Sequence, residues 1–128
     1  MEPIPERVEW VAKQLVDAAY KVHKALGPGL LESVYESCLC YELTKRRIPF
    51  RRQLDLPVVY DGIRLDAGLR LDLLVDECVI AELKAVEKHN ALFEAQLLTY
   101  LKLTGHRLGL LINFNVELIK DGIKRMVH

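Results

Sequence analysis

Apolar residues recur at three- and four-residue spacing from the N-terminal end of the chain: Val8, Val11, Leu15, Ala18, Ala19, Val22 and Leu26. That period predicts a helix over residues 6–26. Gly27-Pro28-Gly29 breaks it. A second helix is expected from about residue 30 to 45, with Leu31, Val34, Cys38, Leu39 and Leu43 on its apolar side. It closes on Lys45-Arg46-Arg47, a basic run that suits a helix C-terminus as well as a phosphate. From Ile48 the pattern becomes strand-like. Residues 54–60 and 63–65 flank Asp61-Gly62, a strong signal for a tight hairpin turn. Residues 69–75 and 78–85 form a further strand pair across Asp76-Glu77. Leu73-Leu74-Val75 and Cys78-Val79-Ile80-Ala81 are apolar on both faces, as strands covered on both sides must be. A third helix, 91–104, stops at Gly105; a buried strand at 108–114 and a short closing segment at 116–127 follow. The order predicts an α/β fold: a mixed central sheet flanked by helices on both sides.

At 128 residues the chain is expected to form one domain, 1–128, with one proper core. Its 18 basic and 18 acidic residues give zero net charge, so bulk charge supplies no argument for nucleic acid. A nucleic-acid surface would have to come from local clusters: Lys45-Arg46-Arg47, Arg51-Arg52, and Lys120 with Lys124-Arg125. Glu36, Glu42, Asp61 and Asp66 dilute them, so any binding should be weak and salt-sensitive, and plain solvated surface is the alternative for each. Cys38, Cys40 and Cys78 offer no disulfide framework and too few thiolates for an iron–sulfur cluster; they read as buried free thiols. No segment has the length of a membrane span, and Met1 to Glu6 lacks the order of a signal peptide, so the expected location is cytoplasmic. His23, His89, His106 and His128 show no metal-ligand spacing, though His89 follows the Glu82 strand closely.

Against that apolar background three ionisable residues stand out. Asp72 interrupts one buried strand; Glu82 and Lys84 interrupt the next and share one face of it. A buried ion pair, or a sheet edge where all three reach water, would account for them structurally. A Mg²⁺ ion accounts better for two carboxylates together, since this hard cation takes carboxylate oxygens and keeps several waters. Lys84 could then orient a metal-activated water or offset charge developing on phosphorus. There is a geometric condition. A two-residue turn at Asp76-Glu77 would place Asp72 opposite Ala81, on the wrong side for Glu82. An odd loop or a bulge near residues 75–79 is therefore expected.

The spacing Asp72 … Glu82-Leu83-Lys84 resembles the core motif of the PD-(D/E)xK nuclease superfamily, an acid, a hairpin, then acid-x-lysine; Leu71 stands where that superfamily often has proline. Gly29-Leu30-Leu31-Glu32-Ser33-Val34-Tyr35 looks like the signature of the small bacterial GxxExxY proteins, grouped with that superfamily. Glu94-Ala95-Gln96-Leu97-Leu98-Thr99-Tyr100-Leu101 and Gly109-Leu110-Leu111-Ile112-Asn113-Phe114-Asn115 resemble the rest of it, so the similarity spans nearly the whole chain. The resemblance implies a restriction-endonuclease-like core. It makes Asp72 and Glu82 the metal-binding acids, Lys84 the catalytic lysine and Glu32 a helical glutamate completing the metal site. Gln96 and Tyr100 match a glutamine-x-x-x-tyrosine helix motif that supports the site or touches nucleic acid, and Tyr35 joins them as a supporting residue. A first-turn glutamate favoured by the helix dipole remains open for Glu32, and a surface stripe for Gln96 and Tyr100.

The expectation is a Mg²⁺-dependent nuclease, with Mn²⁺ able to substitute, acting on nucleic acid, DNA ahead of RNA. The Leu83 backbone carbonyl would be an extra metal ligand, and a symmetric homodimer would suit a two-strand substrate. The alternatives are a nuclease-fold module that binds nucleic acid or a protein partner without cutting, and a purely structural ion-pair network.

Overall fold

The computed structural model describes residues 2–128 and, within them, every side chain except that of Ala67; Met1, part of the expected span, lies outside the described residues. Two helices come first, α1 (Glu6–Leu26) and α2 (Glu32–Lys45), then strands β1 (Phe50–Tyr60), β2 (Ile63–Val75) and β3 (Val79–Lys84). Helix α3 (Ala91–Thr104), strand β4 (Leu108–Asn113), a 3-10 turn (Ile119–Gly122) and strand β5 (Ile123–Val127) complete the order. The five strands lie side by side in sequence order. Among the described residues only the β3–β4 pair is parallel, with α3 as its crossover, so the sheet is mixed as the pattern predicts.

Two local expectations change. Residues 63–65 and 69–75 are one continuous strand, not two. Asp66-Ala67-Gly68 has turn-like composition but stays within β2, and the register against β1 shifts there instead, between Leu56 and Val58. Gly68 fits because a Cβ would come within 2.5 Å of Val58 Cγ2. On α2, Leu31 and Val34 are exposed rather than buried. Leu31 is the extended residue that precedes the helix, and Tyr35, Leu39 and Leu43 form its buried side.

Helices cover both faces of the sheet. Beneath α1 and α2 lies the larger cluster, which takes Leu73 and Val75 of β2, Val79, Ala81 and Leu83 of β3, and Leu108, Leu110 and Ile112 of β4. On the other face, Leu97 and Leu101 of α3 close over Leu69, Leu71, Leu74, Ile80 and Leu111. Burying each of these two leucines contributes roughly 2 kcal/mol, so α3 is held by a small patch. The contact is close because Gly109 has no Cβ; one there would stand 2.8 Å from Leu97 Cδ1. Asn90 caps α3 by accepting from the Leu92 N–H, and Gly105, left-handed at φ 77, ends it. Strand alternation then settles which face the ionisable pair takes: Ile80 faces α3, so Glu82 and Lys84 face it too.

Candidate active site

The connection between β2 and β3 has three residues, Asp76, Glu77 and Cys78, with φ of 52 for Asp76 and 53 for Glu77. Val75 therefore pairs with Val79 and Leu73 with Ala81, and the same register carries Asp72 opposite Glu82. The geometric condition set by the sequence is met. Backbone pairing of β2 with β3 stops at Leu73 and Ala81, while β3 runs on to Lys84 against β4 alone. At this parting the Leu83 N–H donates to Asp72 Oδ2 at 2.8 Å, so a side chain fills the place of a strand partner.

Glu82 is 4% exposed, and its Oε1 has no hydrogen-bond partner. Burial first, then the adjacent Asp72 carboxylate, pushes the Glu82 carboxyl up to about 9, and Lys84 offsets this in part. A carboxyl held out of water beside another carboxylate ionises only at a cost, which favours the protonated form of Glu82 at neutral pH. Tyr100 on α3 is pushed up by burial and then by the charges of Glu82 and Asp72. Glu32, first residue of α2, is pushed up by burial and then by Asp72. A helix N-terminus alone would act in the opposite direction on a carboxyl. Glu32, Asp72, Glu82, Lys84 and Tyr100 thus share one electrostatic neighbourhood, drawn from both faces of the sheet.

Lys84 is half-buried, with its ammonium 4.5 Å from the centre of the Phe93 ring. It borders two concavities. One, of about 500 Å³, also takes in Gln96, Phe93 and Asn90; the other, of about 270 Å³, takes in His89, Asn113, Gly122 and Lys124. Gln96 is exposed on α3, one turn before the half-buried Tyr100. Tyr35 is fully buried, stacked on Phe114 at 4.6 Å, and so is no nucleic-acid contact. Its hydroxyl donates to the Gly27 carbonyl at 2.6 Å and accepts from the Leu30 N–H, fixing the loop that leads to Glu32. The Leu83 side chain lies in the larger core.

Among the described residues, no group of three or more His, Cys, Asp or Glu side chains stands ready to enclose a metal. The carboxylates that could meet a cation here are Asp72 and Glu82, the latter with its unpartnered Oε1, and one or two carboxylates with several waters are what Mg²⁺ accepts. The residues fit such a cation.

Most of the predicted basic residues are occupied internally, whereas Arg46, Arg47 and Lys120 have no carboxylate partner among the described residues. Arg51 pairs with Glu77, Arg52 with Glu36, Lys45 with Glu42, Lys124 with Glu94 and Arg125 with Glu9. His89 pairs with Glu94. Two residues near Lys84 escaped sequence reasoning. Phe93 lies beneath it, with only its place in an apolar helix pattern as a signal. Asn113 splints the segment after it: Oδ1 accepts from the Val86 N–H at 3.1 Å and Nδ2 donates to the Val86 carbonyl at 3.0 Å. A polar residue at the end of a purely apolar strand was the available hint.

A family profile described as the PD-(D/E)XK nuclease superfamily matches residues 9–126. No curated protein and no solved structure matches the chain significantly.

Proposed function

The chain belongs to the PD-(D/E)XK nuclease superfamily, and from that premise we propose that it is a Mg²⁺-dependent nuclease of the GxxExxY kind that cuts DNA. The observation that carries this reading is the juxtaposition of Asp72 with a buried Glu82 whose Oε1 has no partner, with Lys84 next along the same face. Asp72, Glu82 and the Leu83 carbonyl would hold the cation, with Glu32 completing the set, and Mn²⁺ would serve in its place. When bound, such a cation lowers the pKa of a water and offsets charge on a phosphate. Glu82 gives up its proton to take part, so binding strengthens as pH rises toward about 9. Lys84, whose ammonium rests over Phe93, would offer its charge to the attacking water or the phosphate oxygens. Gln96 and Tyr100, on the helix across the concavity, support the site or contact the strand.

We place this activity in one domain and in the cytoplasm, a reducing compartment in which three free cysteines are at home. A homodimer would give a chain of this size a grip on two strands. The arginines already paired internally favour a second reading, a non-catalytic module on a nuclease fold.

Titration calorimetry of Mg²⁺ and Mn²⁺ into wild type and Asp72→Asn, followed by cleavage of plasmid and branched DNA, separates the two. We expect wild type to bind metal and cut, and Asp72→Asn to lose at least about 100-fold in cleavage, the loss typical when charge stabilisation of a transition state is removed. Wild type that binds neither metal would sink the catalytic reading and leave the module.

A further inference from the structure

Glu36, one turn beyond Glu32 on α2, is 6% exposed yet fully engaged. Arg52 donates to its Oε2 from Nε at 3.1 Å and from Nη2 at 2.9 Å, and Gln53 Nε2 donates to its Oε1 at 2.7 Å. Arg52 and Gln53 are neighbours in β1, and neighbours in a regular strand point to opposite faces. They reach one carboxylate because Gln53 is left-handed, at φ 46. That conformation is strained for glutamine and persists only when its surroundings enforce it.

The strand changes phase at this residue. Phe50 packs against the α1–α2 cluster, whereas Leu54 and Leu56, an even number of residues further on, pack beneath α3. β2 does the same across from it. Leu69 and Leu71 lie beneath α3, and Leu73 and Val75 lie in the other cluster. Arg52 pairs with Leu73 and Leu54 with Leu71, while Gln53 and the residue between those partners, Asp72, make no pair. Without the slip, a strand that put Leu69 and Leu71 beneath α3 would send Asp72 into the large apolar cluster. With it, Asp72 keeps the phase of Leu74 and meets the Leu83 N–H opposite Glu82.

We propose that Glu36 and Gln53 are positioning residues: their hydrogen bond holds the left-handed bend in β1 that turns Asp72 out of the main core and against Leu83 and Glu82. The catalytic meaning of this placement rests on the nuclease reading above; the placement itself does not. It is tested in the intact, metal-free protein by hydrogen exchange of the Leu83 amide, with the Leu110 and Ile112 amides of the same sheet as references. Gln53→Ala removes the tie, and the isosteric Gln53→Glu sets a second carboxylate against Glu36. Relative to the references, Leu83 should exchange about tenfold faster or more in both variants, since its acceptor has moved. Mn²⁺ affinity should fall about 10- to 100-fold, the usual cost of losing an outer-shell partner of a metal ligand. Glu36→Ala should behave likewise, and Glu36→Ala combined with Gln53→Gly should recover most of the Leu83 protection, because glycine adopts the bend without help. Leu83 protection unchanged in both Gln53 variants, or a double variant no better than Glu36→Ala alone, would overturn the proposal. Wild type that binds no Mn²⁺ would instead count against the nuclease reading, with the Leu83 comparison still able to decide the placement.

Discussion

The proton on Glu82 gives the folded state a definite response to pH. Folded, this carboxyl titrates near 9; unfolded, it returns to its ordinary 4.5. The folded state therefore binds more protons across that window, and the slope of stability with pH is negative there. The stabilising contribution is fully present below pH 4.5 and is lost as pH rises toward about 9. Glu82→Gln keeps the shape and cannot ionise, so its melting temperature should gain on wild type steadily from pH 5 to pH 9 in the absence of metal. Parallel curves for the two proteins would mean that Glu82 does not carry the proton. Some of this residue-level picture was legible beforehand: charge at Asp72, Glu82 and Lys84 within apolar strands demands pairing or a ligand. The left-handed Gln53 was not, because glutamine carries no preference for positive φ. Nor was Glu36, since a glutamate on a helix reads as solvated until its donors on β1 are seen.

At the level of elements, periodicity located all three helices, and Asp61-Gly62 located the hairpin turn. The parity of the β2–β3 loop followed from asking which face each acid must share. The sequence pattern leaves residues 66–68 unassigned between two strand runs, while the extended pairing that joins them is a long-range property. Helix α3 carries the element-scale prediction. It buries only Leu97 and Leu101, and it sits close to β4 through Gly109. Gly109→Ala would set a Cβ 2.8 Å from Leu97 Cδ1 and 3.2 Å from its Cγ, so this fully buried leucine must shift to admit it. Overpacking of this kind costs about 1–3 kcal/mol. Urea denaturation should show that loss, and a variant as stable as wild type would mean that α3 can ride outward freely.

Across the whole molecule, the zero net charge foretold by composition becomes a set of internal partnerships. Arg7, Arg51, Arg52, Arg64, Arg70 and Arg125 each pair with a carboxylate. Sequence located the clusters, and a local pair such as Lys45–Glu42 is within its reach, but partners from distant elements, as with Arg125 and Glu9, are not. About half of the 18 basic residues have no carboxylate partner among the described residues, but they are divided between helices on opposite faces of the sheet, as with Lys24 on α1 and Lys102 on α3, so few can meet one phosphate backbone together. The slope of log affinity against log salt for duplex DNA should thus correspond to fewer than about three neutralised phosphates. Fluorescence anisotropy across a salt series measures it, and a slope two or three times steeper would show that the ion pairs open on binding. No helix among the described residues is long and apolar enough to cross a membrane.

The bond from the Leu83 amide to Asp72 has a bearing on how kindred chains are compared. An acid that finishes a β-ladder can be retained by selection for folding after catalysis has been abandoned. Its persistence in a descendant is then no testimony to enzymatic life. Lys84 completes no such ladder, and its side chain rests on a ring that would accept methionine as readily. In a lineage sliding from enzyme to scaffold, the lysine should be the first of the three to drift, and the aspartate the last.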